Sequence, residues 1–308
     1  MTRIIEPQDW AQEWAEVWVQ RPRAPDAPVL LDILSPEHYA AIHLPHAVNA
    51  CVYEVAFIGN VVNLAPDKKT EIVLYDMNSA AHAAASAATK LEKAGYTNLT
   101  EIKGGLEAWL AQGLAVEPIG AALPAEPVIA DKNYVLDCDK SILRWTGRNL
   151  NGAHNGTIPF SSGALLIENG TLSRGNLVAD MTRIRDVDMA GSDLAAVLVA
   201  HLLSDDFFDV EAFPTAEASF VLARPIAQAP AGSPNVVLNM NLTIKDITHP
   251  VQIPAIVAPD DKGIKMHAAF DIDRTRWNVI YGSGKYFKAL GSHLVDDTIS
   301  IEFFLKAG

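Results

Sequence analysis

Cysteine occurs twice in this 308-residue chain, at Cys51 and Cys138, and histidine nine times. Two thiols so far apart in sequence make neither a disulfide scaffold nor a cysteine-rich zinc module. In the first third, the side chains whose types could do chemistry are His43, His46, Cys51, Asp76 and His82. Three imidazoles and a carboxylate could ligate a metal, yet no compact His-x-x-x-His spacing joins them. The reading favoured is a structural loop at His43 and solvated rings at the other two, with no metal and no cofactor. Cys51 reads as a small packed side chain. Further on, His201 falls on an apolar helical stripe, a setting that suits a hydrogen-bonded packing histidine. Phe207 and Phe208 follow, placed either to seal a cavity mouth or to pack the helix onto a sheet.

The elements that would position these residues change character along the chain. Val29-Leu-Leu-Asp-Ile-Leu34 and Glu71-Ile-Val-Leu-Tyr75 are continuous aliphatic runs, as expected of strands covered on both faces. The second leads through the turn Asp76, Met77, Asn78, Ser79, Ala80, Ala81 into an alanine-rich helix, with Ser79 as its expected N-cap and Gly95 past its end. Thr100-Glu-Ile102 is a third strand, and Gly104-Gly105 opens a helix through Trp109. Alternating strands and helices predict an α/β unit with a mostly parallel sheet.

Residues 117–130 carry three prolines and hold neither strand nor helix period, so they read as an extended linker. Beyond it the pattern turns β. Val236, Leu238, Met240, Leu242 and Ile244 share one strand face; Ile264, Met266, Ala268, Phe270 and Ile272 share another; Ile299, Ile301, Phe303 and Leu305 a third. Asn169-Gly170 is a two-residue hairpin signal, and Asp261-Lys-Gly263 marks another turn. One helix interrupts, with Ser192 as N-cap and Leu194, Val197, Leu198, His201 and Leu202 on one stripe. Strands apolar on one side predict a sandwich or an antiparallel barrel. The division expected is 1–116, the linker 117–130, and 131–308.

Two resemblances follow from motifs. Leu31-Asp32, Pro36-Glu-His-Tyr39, Ile42-His-Leu-Pro-His-Ala-Val-Asn49, Gly95-Tyr-Thr-Asn-Leu99 and Gly104-Gly-Leu-Glu-Ala-Trp109 resemble, in order, the rhodanese family. That resemblance implies sulfur transfer by a thiolate in a Cys-x-x-Gly-x-Arg turn, where backbone N–H groups and a helix end stabilise the anion. Here Asp76 stands at the cysteine, Ser79 at the glycine and Ala81 at the arginine. A carboxylate oxygen cannot carry sulfane sulfur, so the expectation is a degenerate domain without that activity. Ser141-Ile-Leu-Arg-Trp-Thr-Gly147, Asp180-Met-Thr182, His201-Leu-Leu-Ser-Asp-Asp-Phe-Phe-Asp-Val210, Leu242-Thr-Ile-Lys-Asp-Ile-Thr-His-Pro250 and Asp273-Arg-Thr-Arg-Trp277 are similar to the YceI-like family. This implies a lipocalin-like barrel holding a long apolar ligand such as a polyisoprenoid, an isoprenoid quinone or a fatty-acyl chain. Trp145, Phe208, Leu238, Met240, Leu242, Met266, Phe270, Trp277, Ile301 and Phe303 are the expected ligand contacts. A hollow barrel and a filled one produce the same alternation.

Composition narrows the functional classes. Hydrophobic residues make up 49%, and a net charge of −13, shared by both halves, disfavours polyphosphate partners and so nucleic acid. No apolar run of about 18 residues predicts a membrane span. The opening residues lack a secretion signal's apolar core, so a cytoplasmic location is expected. The combined expectation is a carrier of an apolar ligand, with the first domain as a non-catalytic docking module for a protein partner. Exposed strand edges suit a homodimer. The alternatives are a sulfurtransferase-related enzyme working through Cys51 or Asp76, and a protein-interaction scaffold that binds no ligand.

Overall fold

The computed structural model describes residues 2–20, 27–78, 80–118 and 128–308, with backbone alone at 14–20, 222 and 292. The chain divides into two compact units, Met1–Glu126 and Pro127–Gly308. The expected N-cap Ser79 and residues 119–127 of the expected linker lie outside the described residues. Both ends of that linker are anchored. Glu117 exchanges backbone hydrogen bonds with His43 at 2.9 Å each, and the Ala130 carbonyl accepts from the Tyr134 hydroxyl.

In the first unit, the strands β1 (Arg3–Ile5), β2 (Val29–Asp32), β3 (Val48–Asn49), β4 (Ile72–Tyr75) and β5 (Leu99–Ile102) form one parallel sheet in the order β1-β5-β4-β2-β3. Helices α1 (Pro7–Gln20), α2 (Pro36–Ala41), α3 (Phe57–Leu64), α4 (Ala83–Lys93) and α5 (Gly105–Ala111) alternate with them. Two apolar clusters explain why β4 is aliphatic throughout. Ile72 and Leu74 pack with Phe57 and Val61 of α3 and Ala87 and Leu91 of α4. Val73 and Tyr75 instead meet Trp10 of α1 and Leu106 and Trp109 of α5. Successive side chains of one strand thus serve opposite layers. Neither β1 nor α1 was expected from the sequence, although Trp10, 2% exposed, is part of this core.

The second unit is antiparallel throughout. Its strands are β6 (Asn133–Val135), β7 (Ile142–Asn149), β8 (Gly152–Ile158), β9 (Phe160–Glu168), β10 (Thr171–Asp180), β11 (Arg185–Asp186), β12 (Thr215–Pro225), β13 (Val236–Ile244), β14 (Ile247–Asp260), β15 (Gly263–Asp273) and β16 (Thr298–Ala307). They form one sheet in the order β11-β8-β7-β16-β15-β14-β13-β12-β10-β9-β6. The sheet curls so that its β6 end comes back to the end of β16: Leu136 bridges Ala307, and Val135 and Gly308 exchange backbone hydrogen bonds. Asn169 and Gly170, with φ of 54° and 68°, make the tight β9–β10 turn that the Asn-Gly pair predicts. Buried Val236, Leu238, Met240, Leu242 and Ile244 confirm the phase read for β13.

Strand β14 splits its allegiance. Residues 247–255 pair with β13, whereas 256–260 pair with β15. The gap this opens is stopped by a 3-10 turn, Arg274–Trp277, where the fully buried Trp277 donates Nε1–H to the Leu242 carbonyl at 3.0 Å. Helix α6 (Asp193–Leu203) lies next to β11, and the Ser192 Oγ accepts from the Ala195 N–H as its N-cap.

Candidate ligand-binding site

In the first unit, the turn after β4 is where strand-to-helix geometry gathers backbone donors. Asp76 occupies it, 3% exposed. Its Oδ1 accepts from the Met77 N–H at 2.7 Å and its Oδ2 from the Ala84 N–H at 3.0 Å, in the first turn of α4. Helix α4 begins at Ala83, with His82 at the cap position and no side-chain cap bond from it. Asp76 therefore supplies the anion at this helix end. Gly105 approaches from below with φ of 57°, and a Cβ there would lie 2.1 Å from the Asp76 carbonyl oxygen. Asn78 closes the loop by accepting from the Ala80 and Ala81 N–H groups.

Around this turn the other sequence candidates scatter. His43 stacks on Tyr39 at 4.0 Å, its Nδ1 lies 2.7 Å from the Tyr39 carbonyl, and its Nε2 is 3.5 Å from Glu117. Cys51 is buried and free. Asp32, fully buried, receives the Tyr75 hydroxyl, the Leu34 N–H and the Asn49 amide. Burial raises its pKa in spite of those donors, and burial beside Asp32 pushes the Tyr75 phenol well up. This buried network braces β2 against β4.

The second unit contains an apolar cavity of about 100 Å³ that presents no polar surface. Leu143, Ile158, Met181, Phe207, Leu242 and Ile301 are among the side chains that line it. Of the ten expected contacts, Trp145, Phe208, Leu242 and Ile301 line this space. Phe270 lines an outer groove with Trp145 and Ile301. Leu238, Met240, Met266, Trp277 and Phe303, all 3% exposed or less, fill the barrel interior. Much of the interior is thus packed side chain, and the cavity sits to one side of it.

Next to the cavity is a more polar vestibule of about 270 Å³. The two share Trp145, Gly147, Leu202, Phe207 and Val295, and the vestibule adds His154, His201, Tyr281, His293, Arg148 and Asn149. Trp145 stands at the junction. Its indole lies on Gly156, where a Cβ would meet the ring at 2.5 Å, and its Nε1–H is buried with no acceptor among the described residues. His201 presents its ring edgewise to Tyr281 at 4.3 Å and to Phe207 at 5.7 Å.

One buried cation supports this wall. Arg274, 1% exposed, donates to the carbonyls of Val279 at 2.6 Å, Asp296 at 2.9 Å and Val295 at 3.1 Å, and lies 5.5 Å from the Phe207 ring. Desolvation lowers its pKa, which Asp297 at 3.8 Å opposes. The five donors of a guanidinium suit three carbonyls at once, as an ammonium would not. Helix α6 forms the outer wall. It is apolar on nearly every face, yet only Leu202 is buried, while Leu194 and Val197 are 66% and 64% exposed. No helix among the described residues is long and apolar enough to cross a membrane.

Comparison with known proteins agrees with this architecture. Residues 134–307 match the YceI-like domain and residues 14–112 the rhodanese-like domain. No curated protein matches the chain. Among solved structures, BcnA of Burkholderia cenocepacia shares 22% identity over 55% of this chain and 98% of its own, with a TM-score of 0.44. A polyisoprenoid binding domain from Saccharophagus degradans shares 16% over 57% and 98%, with a TM-score of 0.41. A rhodanese-like domain from Anabaena shares 25% over 30% and 99%, with a TM-score of 0.26. The chain belongs to the YceI-like family and carries a rhodanese-like domain fused ahead of its barrel.

Proposed function

We propose that the barrel binds one long amphiphile, its apolar tail in the cavity and its oxygen-bearing head in the vestibule. The observation that carries this reading is that a wholly apolar cavity shares five lining residues with a vestibule of three histidines, a tyrosine and an arginine. Each buried CH₂ contributes about 0.8 kcal/mol, so a polyisoprenoid, an isoprenoid quinone or a fatty-acyl chain needs no ion pair to be held. The orphan Trp145 Nε1–H adds a donor for a carbonyl, ester or phosphate oxygen. A space of about 100 Å³ is smaller than a ~150 Å³ cavity that takes up benzene. A long tail therefore enters only as Phe207, Phe208 and α6 move aside.

The rhodanese-like domain, on this reading, is a non-catalytic docking module, because Asp76 already satisfies the donors that would stabilise a persulfide. A cytoplasmic homodimer is the setting proposed. The test is solvent extraction of the purified protein followed by mass spectrometry, with loading of the emptied protein by a C40 isoprenoid quinone. A stoichiometric quinone whose uptake is lost on filling the cavity supports the proposal. A protein that yields no lipid and rejects quinone, isoprenoid alcohol and fatty acid alike overturns it.

A further inference from the structure

Outside the apolar cavity, three potential metal ligands come together where β8 meets β11. The register pairs Asp186 with Gly156 and Arg185 with Thr157, which carries the Asp186–Asp188 segment alongside His154. One ligand atom from each of His154, Asp186 and Asp188 lies within 4.8 Å of the others. We propose that these three side chains form a binding site for a divalent transition-metal ion, with Zn²⁺ as its representative.

Three observations carry the proposal. First, both carboxylates are oriented by backbone donors: Asp188 Oδ1 accepts from the Asn155 N–H at 2.7 Å, and Asp186 Oδ1 from the Met189 N–H at 2.9 Å. Fixing one oxygen aims the other inward, the role an outer shell plays around a metal. Second, Asp186 Oδ2 is sealed from solvent, accepts from no N–H or hydroxyl among the described residues, and faces the Asp188 carboxyl. Two carboxyl oxygens facing one another away from water are costly unless a proton or a cation joins them. Third, the group that faces the pair is an imidazole, with Nδ1 at 2.9 Å from Asp188 Oδ2. Two carboxylates side by side in a chain of net charge −13 repel one another, and a divalent ion neutralises both at once.

The donor set decides the class of ion. One nitrogen and two oxygens without sulfur suit Zn²⁺, Co²⁺ or Mn²⁺, and exclude a site built for soft thiolate-loving ions. Metal bonds of about 2.0–2.2 Å place neighbouring ligand atoms about 3–4 Å apart, inside the present spread. Three protein ligands leave at least one coordination position for water or another oxygen. His154 also lines the vestibule, so the ion would sit at its rim. The site stands on its own and does not depend on the identity of any tail in the barrel.

Isothermal titration of the chelator-treated full chain with ZnCl₂ tests it, with CoCl₂ absorption as a second readout. The expected result is one ion per chain, weakened more than about 100-fold in Asp186→Asn, beyond the 10–100-fold given by loss of an outer-shell partner. His154→Ala should abolish the Co²⁺ spectrum that a nitrogen ligand tunes, while His267→Ala, which pairs with Glu302 elsewhere on the barrel, leaves both signals intact. Metal-free Asp186→Asn should melt at or above the temperature of the parent, since the substitution relieves the carboxylate pair, and should lose the Zn²⁺-dependent rise. Absence of stoichiometric heat at millimolar Zn²⁺ overturns the proposal. So does binding that survives Asp186→Asn or disappears in His267→Ala.

Discussion

The turn at Asp76 and the junction at Trp145 treat buried polar atoms in opposite ways. In the rhodanese-like unit, the carboxylate that stands in place of a thiol is saturated by the N–H groups of Met77 and Ala84. In the barrel, the Trp145 indole N–H is buried without an acceptor among the described residues, and one oxygen of Asp186 is sealed with only the Asp188 carboxyl against it. A buried polar group left unmade costs about 1–3 kcal/mol, so such a group persists where something else fills the need. One unit has closed its site with its own side chain. The other leaves polar atoms uncommitted beside a cavity, and this asymmetry is why the proposed ligand chemistry is assigned to the barrel.

The largest expected effect breaks the wall of the open site. Arg274→Ala leaves three buried carbonyls without a donor and Asp297 with Lys285 as its remaining cation, a loss of about 3–5 kcal/mol. Arg274→Lys should restore only part of it, because an ammonium lacks the planar fork. Calorimetry on the full chain checks this as a fall in the barrel transition alone. Next in size is Ala179→Leu, which fills the cavity from β10. Quinone uptake should fall at least about tenfold while stability changes by less than about 1 kcal/mol, since the added carbons enter empty space. A cavity-filled variant that still loads quinone would move the site elsewhere. Trp145→Phe is subtler: it should weaken quinone binding by about 1 kcal/mol, the worth of one hydrogen bond, and leave binding of a plain hydrocarbon tail unchanged.

Much of this architecture is legible in the residues. The alternation of β13 reads directly as its buried face, Asn169-Gly170 as its turn, and Ser192 as a cap, because each is dictated by local geometry. The cavity is less so. Period two shows that Leu238, Met240 and Leu242 point inward, but not that the first two are packed over while Leu242 meets free space. Volume is a property of facing side chains from different strands, and no single strand encodes it. The cluster of His154, Asp186 and Asp188 is hidden for a related reason. Only the pairing of β8 with β11 brings an imidazole to carboxylates more than thirty positions away. At Asp76 the sequence revealed the missing thiol through a family motif, and helix-end electrostatics foretold a comfortable carboxylate.

An effect smaller than the loss of Arg274 sharpens the closed side of the comparison. Asp76→Ala removes the acceptor from the Met77 N–H in the turn and from the Ala84 N–H in the first turn of α4, and should lower the stability of the first unit by about 1–2 kcal/mol. Asp76→Asn keeps one acceptor and should cost less. The paired substitution Asp76→Cys with Ala81→Arg returns a thiol and a cation to the turn. Measurable cyanide–thiosulfate sulfur transfer by that variant, against background for the parent, would show that the scaffold lacks only its nucleophile and anion partner.

The smallest effect separates the two units by acid. Asp32 has a pKa raised above the ordinary 3.8 by burial, so its folded form holds a proton that the unfolded chain has lost. Its contribution to stability is fully present below pH 3.8 and is lost as pH rises through the folded value. Asp260 behaves oppositely. Lys265 and Lys306, at 2.5 and 2.6 Å, draw its pKa down to about 2, so its contribution is present above pH 3.8 and is lost as pH falls towards 2. Asp273 is lowered too: its burial opposes the shift, and Lys285 and Thr275 outweigh it. Between pH 5 and pH 2 the barrel transition should therefore move down, with Asp260→Asn flattening its slope. Over the same range the Asp32 contribution to the first unit grows, and Asp32→Asn should steepen that unit's loss in acid. If both transitions fall in parallel and neither substitution changes its slope, the contrast between the units does not extend to their carboxylates.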